Sequence, residues 1–321
     1  MSLRDGAETI VNQCLKIDSS ESVVVVNDGL DQDLIDSLLS ALERNGNDYR
    51  YIEYEEPKSQ GAEPPEEVAR ALEESDVFIA PTLKSLSHTQ AVQEACGAGA
   101  RGATLPTINK KIWNEGLQAD YSRVKEITET VYEILAGVDE VSIEGPGGTD
   151  LSFRVEYDSF ITDPGILTEG GKFVNLPSGE VHGGVVDMNG TFVIDHFKPF
   201  ATDAEGSKVE IRDSKVVAVE SEAENEFERV LERVEGARNI AEFGFGTNPE
   251  AEIIGNPLQD EKVLGTIHIA FGDNAHYFPE GHPRRTLSDI HWDSVLESPT
   301  VYFDDRKVLD AGKPVFMEKF L

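Results

Sequence analysis

The segment ESVVVVNDGLDQDLIDSLLSALERNG, residues 21–46, decides the fold of the first half of the chain. Within it, SVVVV at 22–26 is an apolar, β-branched run with no polar alternation, which a strand covered on both faces requires. From Gln32 to about Asn45, Leu34, Ile35, Leu38, Leu39 and Leu42 share one helical stripe, so a helix follows the strand. The unit repeats outward from there. YRYIEY at 49–54, a helix from Pro65 to about Glu74, VFIAP at 77–81, a helix beginning near Ser87 and GATLP at 102–106 alternate in order. Such alternation predicts a parallel α/β sheet. Gly97, Gly99 and Gly102 spell GxGxxG, but the motif closes a helix and precedes a strand, the reverse of a dinucleotide-binding turn. The turn after the first strand, NDGLDQ, lacks the glycines that let a pyrophosphate approach a helix.

A long helical stretch from about Gly116 to Ala136 ends this pattern, and the text turns to strands and glycine turns: DEVSIEGPGGTDLSFRVEY, GGKFVNLPSGEV and VVDMNGTFVID. GPGGTD has no following Lys-Ser/Thr and lies between two strand-like runs, so it reads as a hairpin turn. The 321 residues leave room for two domains. The expected division is an α/β domain over 1–137 and a mixed, strand-rich α+β metal-binding catalytic domain over 138–321.

Acidic residues number 61 against 28 basic, a formal net charge of −33, and such a surface repels duplex nucleic acid. The carboxylates are dispersed along the chain and do not form a tail, as in proteins of salt-accumulating halophiles, where molar salt screens repulsion to within about 3 Å. A halophilic archaeal source is the expectation. No apolar run approaches the ~20 residues of a membrane span, and MSLRDGAETIVNQ lacks the regions of a secretory signal, so a cytoplasmic location is expected. Cys14 and Cys96 are too few for a disulfide framework and read as packed thiols.

Chemistry concentrates in the second half, which holds six of the seven histidines. In IHWDSV, period-two alternation puts His291 and Asp293 on one face with Trp292 turned away, a workable pair of metal ligands. In VLGTIHIAFG, His268 faces away from Ile267 and Ile269. Glu242 interrupts the apolar, glycine-rich NIAEFGFGTNP, where an ionised carboxylate costs several kcal/mol unless paired or bound to metal. Glu180 stands at a loop-to-strand junction in NLPSGEV. These five suit Zn, Mn, Co or Fe, with enough carboxylates to bridge two ions. His88 reads as a helix-start residue, and His182, His196, His276 and His282 lie in turn-rich text, with His276 the nearest of them to a pocket.

Several segments carry a resemblance spanning most of the chain: SLSHTQAVQEACGAGARGATLP from Ser85 to Pro106, QADYSRV at 118–124, GGTDLSF, NLPSGEV, IAEFGFGTNP, DEKVLGTIHIAFGDN and HWDSV. In that order they resemble the aminopeptidase T and aminopeptidase S family of metallopeptidases, the leucyl aminopeptidase, thermophilic metalloprotease type. The resemblance implies that Glu180, Glu242, His268, His291 and Asp293 match five of six residues forming a two-metal centre of Zn, Co or Mn. The sixth is a tyrosine a few positions after the first histidine; Ala275 has the closest spacing here and Tyr277 lies two residues later. The chain is also shorter than typical family peptidases between His268 and His291. By resemblance the protein hydrolyses amino-terminal residues from short peptides through a metal-activated water, with Glu180 collecting the proton and Tyr277 donating to the oxyanion. A homodimer enclosing an internal cavity is also implied.

Two alternatives stand beside this. His268, His291 and Asp293 also make the facial triad of a mononuclear iron(II) oxygenase, and the dihydroxypyridine ring-cleaving dioxygenases are similar in fold to these peptidases. The presence of both Glu180 and Glu242 favours two metals, because one iron needs no further carboxylates. A non-catalytic, peptide-binding relative is the third reading.

Overall fold

The computed structural model describes residues 2–87, 89–197, 204–221 and 226–320. His88 lies outside them. The chain divides into two units, Met1–Lys125 with Pro164–Ser178 and Pro249–Glu252, and Glu126–Asp163 with Gly179–Asn248 and Ile253–Leu321.

In the first unit β1 (Val23–Asn27), β2 (Tyr49–Glu53), β3 (Val77–Thr82) and β4 (Arg101–Pro106) are parallel, and β8 (Phe173–Asn175) adds in parallel beside β4. The sheet order is β2-β1-β3-β4-β8. The inner strands β1 and β3 are buried at every position, as their unbroken apolar text requires. The helix Gln32–Asn45 begins where the Asp31 carboxylate accepts from the Asp33 backbone N–H and ends at Gly46, whose φ of 84° is the left-handed cap. The helix expected near Ser87 starts at Gln90, after Thr89 caps it through the Val92 N–H. It ends at Ala98, and Gly102 lies inside β4, so the GxGxxG glycines sit at a helix end and in a strand. The long helix expected over 116–136 is a short 3-10 turn at Gly116–Gln118 followed by an α-helix, Tyr121–Leu135.

The expected division at 137 falls inside the second unit, and the first unit takes in 164–178 and 249–252 from later in the chain. Composition read along the chain does not reveal such returns, because β8 is a three-residue strand with no periodic signature of its own.

The second unit holds two antiparallel sheets. One runs β12 (Lys215–Glu220), β11 (Lys208–Arg212), β10 (Val186–Val193), β6 (Thr149–Arg154), β5 (Glu140–Gly145), β16 (Thr300–Phe303), β17 (Arg306–Asp310), β18 (Lys313–Pro314). β5 and β6 form the hairpin expected around GPGGTD, turning through Pro146–Gly148. The other runs β15 (His291–Leu296), β14 (Ile267–Gly272), β13 (Ile240–Gly246), β9 (Glu180–Gly183), β7 (Phe160–Asp163).

One face of this second sheet supplies core. Val181, Phe243, Phe245, Ile267, Ile269, Phe271 and Leu296 join Val141, Ile143, Phe153 and Phe192 of the larger sheet in one cluster. Phe153 and Phe243 meet at 5.0 Å between ring centroids. Each such side chain contributes roughly 1.5–3 kcal/mol by leaving water, which fixes strand register, since a one-residue slip would turn the core face outward. The alternate residues of the same strands therefore face the other way together. No helix among the described residues is long and apolar enough to cross a membrane.

Candidate metal centre

Glu180, His182, Glu242, His268, His291 and Asp293 occupy those alternate positions. Cross-strand pairing puts Gly244 opposite both His182 and His268, Ala270 opposite Asp293 and Gly272 opposite His291. Small residues between the functional ones leave space for the rings. A Cβ on Gly244 would lie 2.0 Å from the His268 ring, and one on Gly246 would lie 2.1 Å from the Val263 carbonyl. The first glycine admits the imidazole, and the second admits the turn that carries Lys262.

The donors converge. Glu242 Oε1 lies 3.1 Å from His268 Nε2 and 3.1 Å from His182 Nδ1, and its Oε2 lies 2.9 Å from His291 Nε2. His291 Nε2 is 3.6 Å from Asp293 Oδ1. Ligand atoms of Glu242, His268 and Asp293 all fall within 4.8 Å of one another. His291 donates its Nδ1–H to the Asp273 carbonyl at 2.8 Å, which leaves Nε2 with a lone pair facing the cluster when the ring is neutral. All five residues expected to bind metal are brought together, His268, His291 and Asp293 around Glu242, and Glu180 with Oε2 3.7 Å from His268 Nε2.

Charge keeps the cluster ionised despite burial. Burial alone would raise Glu242, but His182 and the hydrogen bonds from His268 and His291 outweigh it and hold the carboxyl well below its usual range. Burial disfavours the charged imidazoles too, yet the Glu242 hydrogen bond and neighbouring carboxylates raise His268 to about 9 and His291 to about 10. Such a set binds protons tightly for the same reason that it suits a divalent cation. His268 Nδ1 and Glu180 Oε2 are buried without a hydrogen-bond partner. Two imidazoles and several carboxylates on one face form a donor set that fits a divalent metal ion.

Three residues differ from the sequence reading. His182, read there as a turn histidine, follows Glu180 by two positions in β9 and therefore shares its face. The period-two rule that picked out His291 and Asp293 applies equally to it. Tyr277, whose reach to the site was open, brings its hydroxyl 2.6 Å from His182 Nδ1. Burial and Glu242 raise that phenol well above its ordinary value. Lys262, absent from the sequence reading as a site residue, is 2% exposed and lies 2.5 Å from Glu180 Oε1 and 2.6 Å from Glu261 Oε1. Nothing in DEKV marks a lysine for burial. With its charge matched by Lys262, Glu180 no longer demands a second ion as the reason for its burial. Of the other histidines, His196 pairs with Glu297 at 3.0 Å, His282 stacks on Phe278 and pairs with Glu156 at 3.4 Å, and His276 is exposed.

Glu242, His268 and Asp293 together offer donor atoms that could hold a metal ion. Two solved structures are similar along nearly the whole chain. One is a 2,5-dihydroxypyridine dioxygenase from Pseudomonas putida KT2440, with 18% identity and a TM-score of 0.79, covering 98% of this chain and 96% of that one. The other is wild-type AmpT from Thermus thermophilus, with 19% identity and a TM-score of 0.73, covering 98% of each. At such identities both speak for the fold alone. No curated protein sequence matches the chain. The model of the NicX family, 2,5-dihydroxypyridine 5,6-dioxygenase, matches residues 7–316, and the chain belongs to that family.

Proposed function

We propose that the protein is a mononuclear iron(II) dioxygenase that opens a hydroxylated pyridine ring such as 2,5-dihydroxypyridine, with His268, His291 and Asp293 as the protein ligands. The observation that carries this reading is the convergence of two imidazoles and one carboxylate on one sheet face, in a chain of the NicX family. The two-metal aminopeptidase expected from the sequence gives way to its alternative. That expectation rested on the two extra glutamates, and Lys262 supplies Glu180 with a compensating charge. AmpT-like fold and the fourth donor, Glu242, remain the support for peptidase chemistry.

Iron(II) bound there would supply the redox chemistry that lets ground-state dioxygen react with an electron-rich ring. The remaining steps belong to the chain. The Nδ1–H bond from His291 to the Asp273 carbonyl holds that ring in the ligating tautomer. Glu242, ionised and held by three imidazoles, can accept a hydrogen bond from a ring hydroxyl as the substrate binds. The contact between Tyr277 and His182 offers a proton path beside it, with the phenol kept protonated by burial. Both atoms of dioxygen enter the product and one ring bond breaks.

The test is anaerobic loading with iron(II), followed by oxygen uptake with 2,5-dihydroxypyridine and, separately, amino-acid release from unblocked peptides. Oxygen consumed in proportion to ring loss supports the proposal. Peptide hydrolysis without oxygen uptake would sink it.

A further inference from the structure

Glu180 presents an unusual half-satisfied carboxylate. Its Oε1 is clamped by the Lys262 ammonium at 2.5 Å, and Lys262 is fixed from its other side by Glu261 at 2.6 Å. The side chains of Glu180 and Lys262 are 6% and 2% exposed, so water does not reach the pair freely. Its other oxygen, Oε2, is buried with no hydrogen-bond partner and lies 3.7 Å from His268 Nε2, at the edge of the ligand cluster. An ionised oxygen left bare in a protein interior is destabilising, and native structures keep such groups when something outside the chain completes them.

We infer that Glu180 Oε2 is the acceptor for the ring N–H of the substrate, and that Lys262 is the positioning residue that aims it there. A 2-hydroxypyridine in its lactam form carries a ring N–H beside a carbonyl, whereas a dihydroxybenzene presents C–H at the same place. The clamp therefore selects an N-heteroaromatic ring over its carbocyclic isostere. Three features support this assignment. The Lys262 ammonium donates to Oε1, and the other oxygen of an ionised carboxylate has acceptor capacity alone. Glu180 lies on β9, across β13 from His268 on β14, with Oε2 3.7 Å from His268 Nε2, so the acceptor borders the same sheet face as His268, His291 and Asp293. A site built to hydrogen-bond a polar edge rejects the analogue lacking it, because the buried acceptor is then left unpaired.

This inference rests on the dioxygenase reading, and the experiment separates the two. Dissociation constants of 2,5-dihydroxypyridine and of 1,4-dihydroxybenzene are measured anaerobically on the iron(II)-loaded protein, for the wild type and for Glu180→Gln, with oxygen uptake and metal content measured alongside. A hydrogen bond to a charged acceptor corresponds to roughly a 10- to 100-fold preference for the pyridine in the wild type. In Glu180→Gln, Lys262 takes the amide oxygen and turns the NH2, a donor, towards the ring N–H, so the preference falls to about onefold while one metal per chain is retained. Lys262→Met, melting as a folded protein, loses most of the preference as well, because the carboxylate is no longer aimed. Equal binding of the two rings by the wild type, or an unchanged preference in Glu180→Gln, overturns the inference while oxygen uptake leaves the dioxygenase standing. Two metals per chain with one lost in Glu180→Gln makes Glu180 a ligand and also overturns it. Binding of neither ring, with no oxygen uptake, removes the dioxygenase reading and this inference with it.

Discussion

Replacing Lys262 by methionine should reveal how strongly the metal centre depends on one buried cation. The substitution keeps the volume and removes the charge, leaving Glu180 and Glu261 buried with no ammonium between them. Removing one partner of a buried ion pair costs about 3–5 kcal/mol, and Lys262, 2% exposed, meets two carboxylates at 2.5 and 2.6 Å. At roughly 2–4 °C per kcal/mol for a unit of this size, Tm should fall by about 6–20 °C at pH 7. The effect should persist in molar KCl, which screens exposed pairs and reaches buried ones little. The pH dependence should be just as informative. In the wild type, Lys262 helps hold Glu180 below the usual carboxylate range despite its burial, so its stabilisation is present above about 4.5 and is lost as pH falls through the folded value. Glu261, competing for the same ammonium, is raised by burial to about 8, so its contribution declines as pH rises from about 4.5 through 8. Without Lys262 both carboxylates shift upward, the folded state binds more protons, and the deficit should shrink as pH is lowered from 8 to 5. A calorimetric or circular-dichroism melt of both proteins across that range tests this. A Tm change under about 2 °C, or a deficit independent of pH, would refute the idea that Lys262 neutralises the site.

Four further outcomes are expected. Gly244→Ala places a Cβ 2.0 Å from the His268 ring, so it should cost about 1–3 kcal/mol of stability and at least tenfold in iron affinity, read by melting and metal titration; an unaffected metal site would contradict the placement of that ring. Iron affinity should rise with pH through about 9 to 10, because His268 and His291 must give up protons held to those values before their nitrogens bind metal, and a pH-independent titration would argue against them as ligands. Tyr277→Phe removes the hydroxyl bonded to His182 and should lower turnover about tenfold or more with iron stoichiometry unchanged, which single-turnover kinetics can resolve. With a net charge of −33, Tm should climb between low and molar KCl, and a flat salt series would remove the ground for a halophilic reading.

The sequence was most legible where periodicity alone decides structure. The β1 run and the stripe of leucines after it gave a strand and a helix whose limits, Val23–Asn27 and Gln32–Asn45, match the text to within a residue. In the second half the same alternation that buries Phe243, Ile267 and Ile269 sends Glu242 and His268 to the opposite face, which is why His291 with Asp293 could be paired from spacing. His182 obeys the same rule two residues after Glu180, but the glycines that follow it, Gly183 and Gly184, give the text the character of a turn. Lys262 was not legible at all. It stands in a turn before β14, and its burial follows from the close approach of that turn to Gly246, a contact between positions sixteen residues apart that no local pattern records. The expectation of two metals followed from counting carboxylates without their partners, and the partner of Glu180 became visible only in three dimensions.

The most direct test of the central claim is oxygen consumption by protein loaded anaerobically with iron(II) and given 2,5-dihydroxypyridine. The dioxygenase reading expects one iron per chain, one dioxygen consumed per ring opened, and loss of both iron and uptake in His268→Ala. Release of amino acids from unblocked peptides by protein carrying two zinc or manganese ions, with no oxygen uptake, would contradict it.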